Sequence, residues 1–142
     1  EINQKYQTKN WKPIETITKV FTRSQVMNFY KNTQVCLVTP LDDGMNLVSK
    51  EFIISASQSK NPGMLVLSQF AGSAIDLSSA LTVNPYNHLE VAKAIKQGLE
   101  MPEKERKERV MGMAAILDER NIYDWAEKFI SNAETAAKEN RR

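Results

Sequence analysis

Cysteine and histidine are nearly missing from this chain, with one of each in 142 residues. A single cysteine builds no disulfide framework, and a cytosolic setting fits best. Cys36 stands inside the apolar run Val35–Thr39, so it reads as a small buried hydrophobe and not as a nucleophile. One His and one Cys supply no metal cluster, so no metal is expected. His88 lies beside a helix cap on a polar face and reads as a first-turn surface residue rather than a base. No apolar run approaches the roughly 20 residues of a membrane span. The first residues carry neither a signal nor a transit pattern. A large charge of one sign is also absent. The net charge of +2, with basic residues interleaved among acids, argues against a nucleic-acid partner. Internal repeats, low-complexity segments and the phosphate-loop and dinucleotide fingerprints are missing too. No Met opens the chain at Glu1, so a piece of something longer is expected.

What remains is an ordinary globular composition, 42% hydrophobic and 25% charged, in a length that fits one domain. Pro13 to Phe21 alternates and is rich in Ile, Thr and Val, which predicts a strand. Thr22 or Ser24 caps a short helix with Val26, Met27, Phe29 and Tyr30 on its inner face. Val35 to Thr39 reads as a strand covered on both faces and ended by Pro40. A helix follows from about Met45 to Ser57, then a turn at Ser59–Gly63 and a buried strand at Met64–Leu67. A short helical piece is expected near Ser73 to Leu77, and a fourth strand at Ala80–Val83. Asn87 caps the next helix with Glu90 as its capping-box partner, and Leu89, Val91, Ala92, Ile95 and Leu99 form its apolar face. Pro102 opens another helix. Ile122 to Ala137 reads as a last amphipathic helix anchored by Tyr123, Trp125, Phe129 and Ile130. Trp11 and Trp125 read as packing residues. Strands alternating with helices predict a doubly wound α/β domain with parallel crossovers.

The most informative stretch is Asp43-Gly44-Met45-Asn46-Leu47-Val48-Ser49-Lys50-Glu51. It joins an apolar strand to a helix start, where unpaired backbone N–H groups and the helix dipole favour an anion. In an open α/β sheet this is where a phosphorylated ligand sits. Asn46, Leu47 and Val48 would offer their N–H groups to phosphate oxygens. Gly44 either lets the backbone approach a ligand or permits a positive φ. Asp43 is a helix cap or a ligand group. Glu51 is a surface carboxylate, or an acid matched to a pair of sugar hydroxyls. Ser68–Ser73 follows a strand and can line the same crevice.

Val38-Thr39-Pro40-Leu41, followed by the Asp43–Glu51 motif, resembles the trehalose-6-phosphate synthase family of glycosyltransferases, which also contains glucosylglycerol-phosphate synthases. Pro62–Gly72 and Ala80–Tyr86 match two further blocks of that family in order and spacing, and Met101-Pro102 and Trp125–Phe129 fit its closing helices. The resemblance implies a partial C-terminal, Rossmann-like lobe of a two-lobed (GT-B) enzyme. Strands and helices would run to about residue 100 and closing helices over about 102–138. It implies transfer of glucose, with retention, from UDP-glucose to glucose 6-phosphate, or from ADP-glucose to glycerol 3-phosphate. No cofactor or metal beyond the nucleotide sugar is implied, and the acceptor belongs to a lobe missing here. Asp43 matches the catalytic-site acid that binds the donor glucose. Gly44 and Met45 match backbone contacts to that sugar. Asn46, Leu47 and Val48 match amides facing the diphosphate, and Glu51 matches the acid on the ribose. Phe21 and Val26 fall where the family packs around the base. Asp42 stands where the family often has Arg, and an acid beside a diphosphate is unfavourable by Coulomb repulsion.

A reading from another class stays open, a non-catalytic α/β module that binds a nucleotide or a protein. The chain alone is expected to be inactive. An unpaired edge strand at Pro13–Phe21 would favour dimers or aggregates.

Overall fold

The computed structural model describes residues 1–139. Its helices are α1 (Ile2–Tyr6), α2 (Arg23–Asn32), α3 (Leu47–Ser57), α4 (His88–Glu100), α5 (Glu103–Glu119) and α6 (Ile122–Glu139). Its strands are β1 (Val35–Val38), β2 (Met64–Ser68) and β3 (Leu81–Val83). They form one parallel sheet in the order β1-β2-β3, with Val35 opposite Met64 and Val66 opposite Leu81. This is the expected α/β class.

Every residue of β2 is buried, so both faces of the central strand are covered. α4 lies on the face of Val35, Met64 and Leu81, where a Cβ on Gly98 would meet all three side chains at 3.0–3.6 Å. α3 packs on β1 and β2, and α5 packs on α3 through Val110, Met113 and Leu117. The core centres on Phe52, Ile53, Leu65, Leu67 and Met113. α2 joins α3, with the Tyr30 and Phe52 rings 5.8 Å apart at 86°. Thr22, not Ser24, caps α2, in a full capping box with Gln25.

Several expectations are corrected. Pro13–Phe21 forms no strand; it is irregular and mostly exposed. Its alternating pattern suits a strand, but no neighbouring strand of the described sheet pairs with it, and unpaired strand propensity does not hold a strand together. The sheet edges are therefore β1 and β3. β1 is covered less than expected, because Leu37 is 45% exposed at this edge. The contact face of α4 uses Ala94 and Gly98, with Val91 and Ile95 beside them, whereas Leu89 and Leu99 face outward. Small residues win there because the helix runs close to the strands. Asn87 does cap α4, but the Glu90 carboxylate accepts from Asn84 N–H and not from Asn87. Tyr123, Trp125, Phe129 and Ile130 anchor nothing among the described residues: all lie on α6 at 56–82% exposure, and Trp11 is equally open. Only a 3-10 turn, Gly72–Ala74, fills the Ser73–Leu77 segment. No helix of the described residues is long and apolar enough to cross a membrane.

Candidate functional site

The link from β1 to α3 is fixed chiefly by its own side chains. Asp43 Oδ1 accepts from Met45 N–H (3.1 Å) and Asn46 N–H (2.9 Å), and Oδ2 accepts from Asn46 Nδ2 (2.9 Å). These donors, the Met45 N–H foremost, hold the Asp43 carboxyl below its ordinary range, so it is an anion at neutral pH. Asn46 is the N-cap of α3, taking Ser49 N–H on its Oδ1 at 2.9 Å. Its φ of 66° is left-handed, a conformation that Asn tolerates better than most residues. α3 thus begins at Leu47 and not at Met45.

Two readings of the residues change here. Gly44 does not have positive φ; Asn46 does. A Cβ on Gly44 would meet nothing within 4 Å, so open space lies beside it. The Asn46 N–H is also committed to Asp43, so it is no free phosphate donor. The amides of Leu47 and Val48 have no partner among the described residues, and both residues face solvent.

A second loop holds the first in place. Asp43 N–H donates to Phe70 O (3.2 Å), Gly72 N–H to Asp43 O (2.8 Å) and Ser73 N–H to Met45 O (2.9 Å). Asp43 and Ala71 form an isolated parallel bridge beyond the β1–β2 ladder. The buried hydroxyls of Ser49 and Ser73 lie 2.8 Å apart. Further along, Asp76 is gripped by Lys50 (3.0 Å) and Arg120 (2.7 Å). Partial burial pushes the Asp76 carboxyl up, but these two cations bring it below the ordinary range.

Two clefts open along this stretch. Asp42, Asp43 and Gly44 line one of about 460 Å³, with Phe70, Gly72 and Thr82 across from them. Glu51 lines another of about 230 Å³, together with Arg23, Met27, Lys50 and Arg120. The chain passes from one to the other through Leu47 and Val48. The Glu51 carboxylate has no hydrogen bond or ion pair among the described residues. Phe21 packs edge-on against Phe29 (5.0 Å, 79°), and Val26 is half-buried on α2. Neither lines the clefts described; their neighbours Arg23 and Met27, four residues apart on α2, line the one with Glu51. That i,i+4 spacing was a signal available in the sequence.

Cys36 is only partly buried and packs against the core rather than within it, and that burial pushes its thiol up to about 11, so little thiolate is present at neutral pH. His88 is exposed at the first residue of α4. Among the described residues no three His, Cys, Asp or Glu are grouped to hold a metal.

The geometry is that of an α/β lobe offering a glycine corner and a helix start at the carboxyl ends of its strands. Known proteins are similar to this chain in sequence and in fold. The trehalose-6-phosphate synthase of Sodalis glossinidius (strain morsitans) is 44% identical over 132 residues, which is 92% of this chain and 28% of that protein. That of Salmonella paratyphi B (strain ATCC BAA-1250 / SPB7) is 46% identical over 129 residues, 91% of this chain and 27% of the relative. A solved α,α-trehalose-phosphate synthase (UDP-forming) from Burkholderia xenovorans, in complex with glucose-6-phosphate, superposes with a TM-score of 0.86 at 41% identity, over 93% of this chain and 29% of that one. The chain therefore spans little more than a quarter of the length of these relatives. The model of glycosyltransferase family 20 matches residues 1–135, and the chain belongs to that family.

Proposed function

We propose that this chain is the nucleotide-sugar-binding part of a trehalose-6-phosphate synthase that transfers glucose, with retention, from UDP-glucose to glucose 6-phosphate. The observation that carries the reading is the Asp43–Glu51 segment, partly open to solvent at the carboxyl ends of β1 and β2, in a chain so close to synthases of that name. The acceptor phosphate is held by a part of the longer protein outside this chain, so turnover needs that part.

Each residue has a physical task. A carboxylate has about four acceptor positions, and Asp43 uses three of them internally. One remains on Oδ2 for a glucose hydroxyl. Gly44 leaves room for the sugar, with Met45 beside it. As the glycosidic bond to the diphosphate breaks, charge grows on the leaving oxygen. The free Leu47 and Val48 amides and the positive end of α3 stabilise it. Glu51 accepts from the ribose hydroxyls, in the cleft that Arg23 and Met27 close. Phe21, packed on Phe29, and the half-buried Val26 hold α2 in place and do not touch the base. Asp42 opposes diphosphate binding by Coulomb repulsion. Catalysis rests on positioning and electrostatics, with no enzymic nucleophile.

Titrating the full-length protein with UDP-glucose and ADP-glucose, then assaying transfer to glucose 6-phosphate and glycerol 3-phosphate, tests this reading. Preference for ADP-glucose and glycerol 3-phosphate would replace it by a glucosylglycerol-phosphate synthase. Binding without transfer would leave a non-catalytic module. Glu51→Ala is expected to raise the Kd for UDP-glucose about tenfold or more, the loss of hydrogen bonds to a charged acceptor. Its melting temperature should stay put, since the carboxylate holds nothing in the fold. An unchanged Kd removes Glu51 from the site.

A further inference from the structure

The Asp43–Met45 corner is braced internally by the Asp43 carboxylate, but that brace does not set its place against the sheet. The second loop does. Three backbone hydrogen bonds join Asp43 and Met45 to Phe70, Gly72 and Ser73. At their centre a Cβ on Gly72 would collide with Gly44 O and lie 2.7 Å from Gly44 C. Both are backbone atoms, so no rotamer change relieves the collision. Gly72 has no positive φ, so conformational freedom is not the reason for a glycine here. The reason is the approach of two backbones. Behind Gly72 the crossover is fastened to α3 twice, by the Ser49–Ser73 hydroxyl pair and by Lys50 on Asp76, and to the end of α5 by Arg120 on Asp76.

We infer that Gly72 is a positioning residue for the donor sugar: by letting the Phe70–Ser73 backbone close onto Gly44, it sets where Asp43, Gly44 and Met45 meet the glucose. The inference rests on the donor-site reading above. It predicts a split between ligands. A side chain at 72 displaces residues 43–45, which face the sugar. Leu47, Val48 and Glu51 are carried by α3, which is packed on the sheet and on α5, and they keep their places. Loss should therefore fall on the glucosyl group and spare the nucleotide.

The test uses the full-length protein and calorimetry with UDP and with UDP-glucose. Gly72→Ala is expected to raise the Kd for UDP-glucose at least about tenfold, as small misplacements at reacting groups do, with the Kd for UDP changed less than about threefold. Equal weakening of both ligands, or of neither, overturns the inference while the donor-site reading stands. Unmodified protein that binds neither ligand overturns both. If Gly72→Ala does not fold, hydrogen exchange on the unmodified protein decides. UDP-glucose, more than UDP, should slow exchange in the 70–73 segment; equal exchange with both overturns the inference.

Discussion

Asp43→Asn is expected to lower kcat/KM for glucose transfer about a hundredfold or more, the scale of losing one well-placed polar group at a reacting centre. The substitution keeps the shape of the side chain. One amide oxygen can still receive the Met45 and Asn46 N–H groups, so the corner persists. The other terminal atom becomes an NH₂ that faces Asn46 Nδ2, donor against donor, where Oδ2 now accepts at 2.9 Å. The single acceptor position left for the sugar disappears with it. Melting temperature should fall only slightly, whereas Asp43→Ala, which removes the brace as well, should lower it further. The pH dependence carries the same sign. Asp43 has a folded pKa below its ordinary value, so its contribution is present above that ordinary value and is lost as pH falls through the lower folded one. Donor affinity due to Asp43 should hold through mildly acidic solution and fail only in stronger acid. Full activity in Asp43→Asn would take Asp43 out of the site.

Gly63→Ala should destabilise the fold by roughly 3 kcal/mol, the upper part of the range for overpacking, and lower the melting temperature by about 10 °C. Gly63 precedes β2, where Met64 N–H donates to Gln34 O at 2.9 Å. A Cβ there would collide with Thr33 O and lie 2.9 Å from Thr33 C and 3.1 Å from Gln34 C. The strain falls on the first pairing of β1 with β2, Val35 with Met64. Gly112→Ala is the matched control. Its Cβ meets nothing within 4 Å in the middle of α5, so it should raise stability by about 0.5–1 kcal/mol. Similar melting curves for the two variants would refute the packing argument.

Much of this was legible in the sequence wherever the signal was local. The cap near Thr22, the Asn87 cap, the strand ended by Pro40 and the glycine corner all declare themselves through neighbours a few residues away. What misled was information held elsewhere in space. Pro13–Phe21 has the alternation of a strand but no strand beside it among the described residues. Leu89 and Leu99 have helical spacing, yet the face of α4 was decided by how near the strands Gly98 allows it to come. At the site, the order Asp-Gly-Met-Asn did not reveal that Asp43 spends most of its acceptors on its own loop, because that depends on Asn46 turning left-handed. Gly72 was visible only as part of a loop; its contact with Gly44 joins residues 28 positions apart.

The openness of Trp11 and Trp125 has a practical consequence for spectroscopy. Both indoles are more than half bathed in water while the sheet is intact, at 57% and 56%. Their emission will shift little when the strands melt. It will respond to whatever comes to lie over α6 or the amino-terminal segment, so colour changes in fluorescence report assembly, and loss of order in the core has to be followed by circular dichroism.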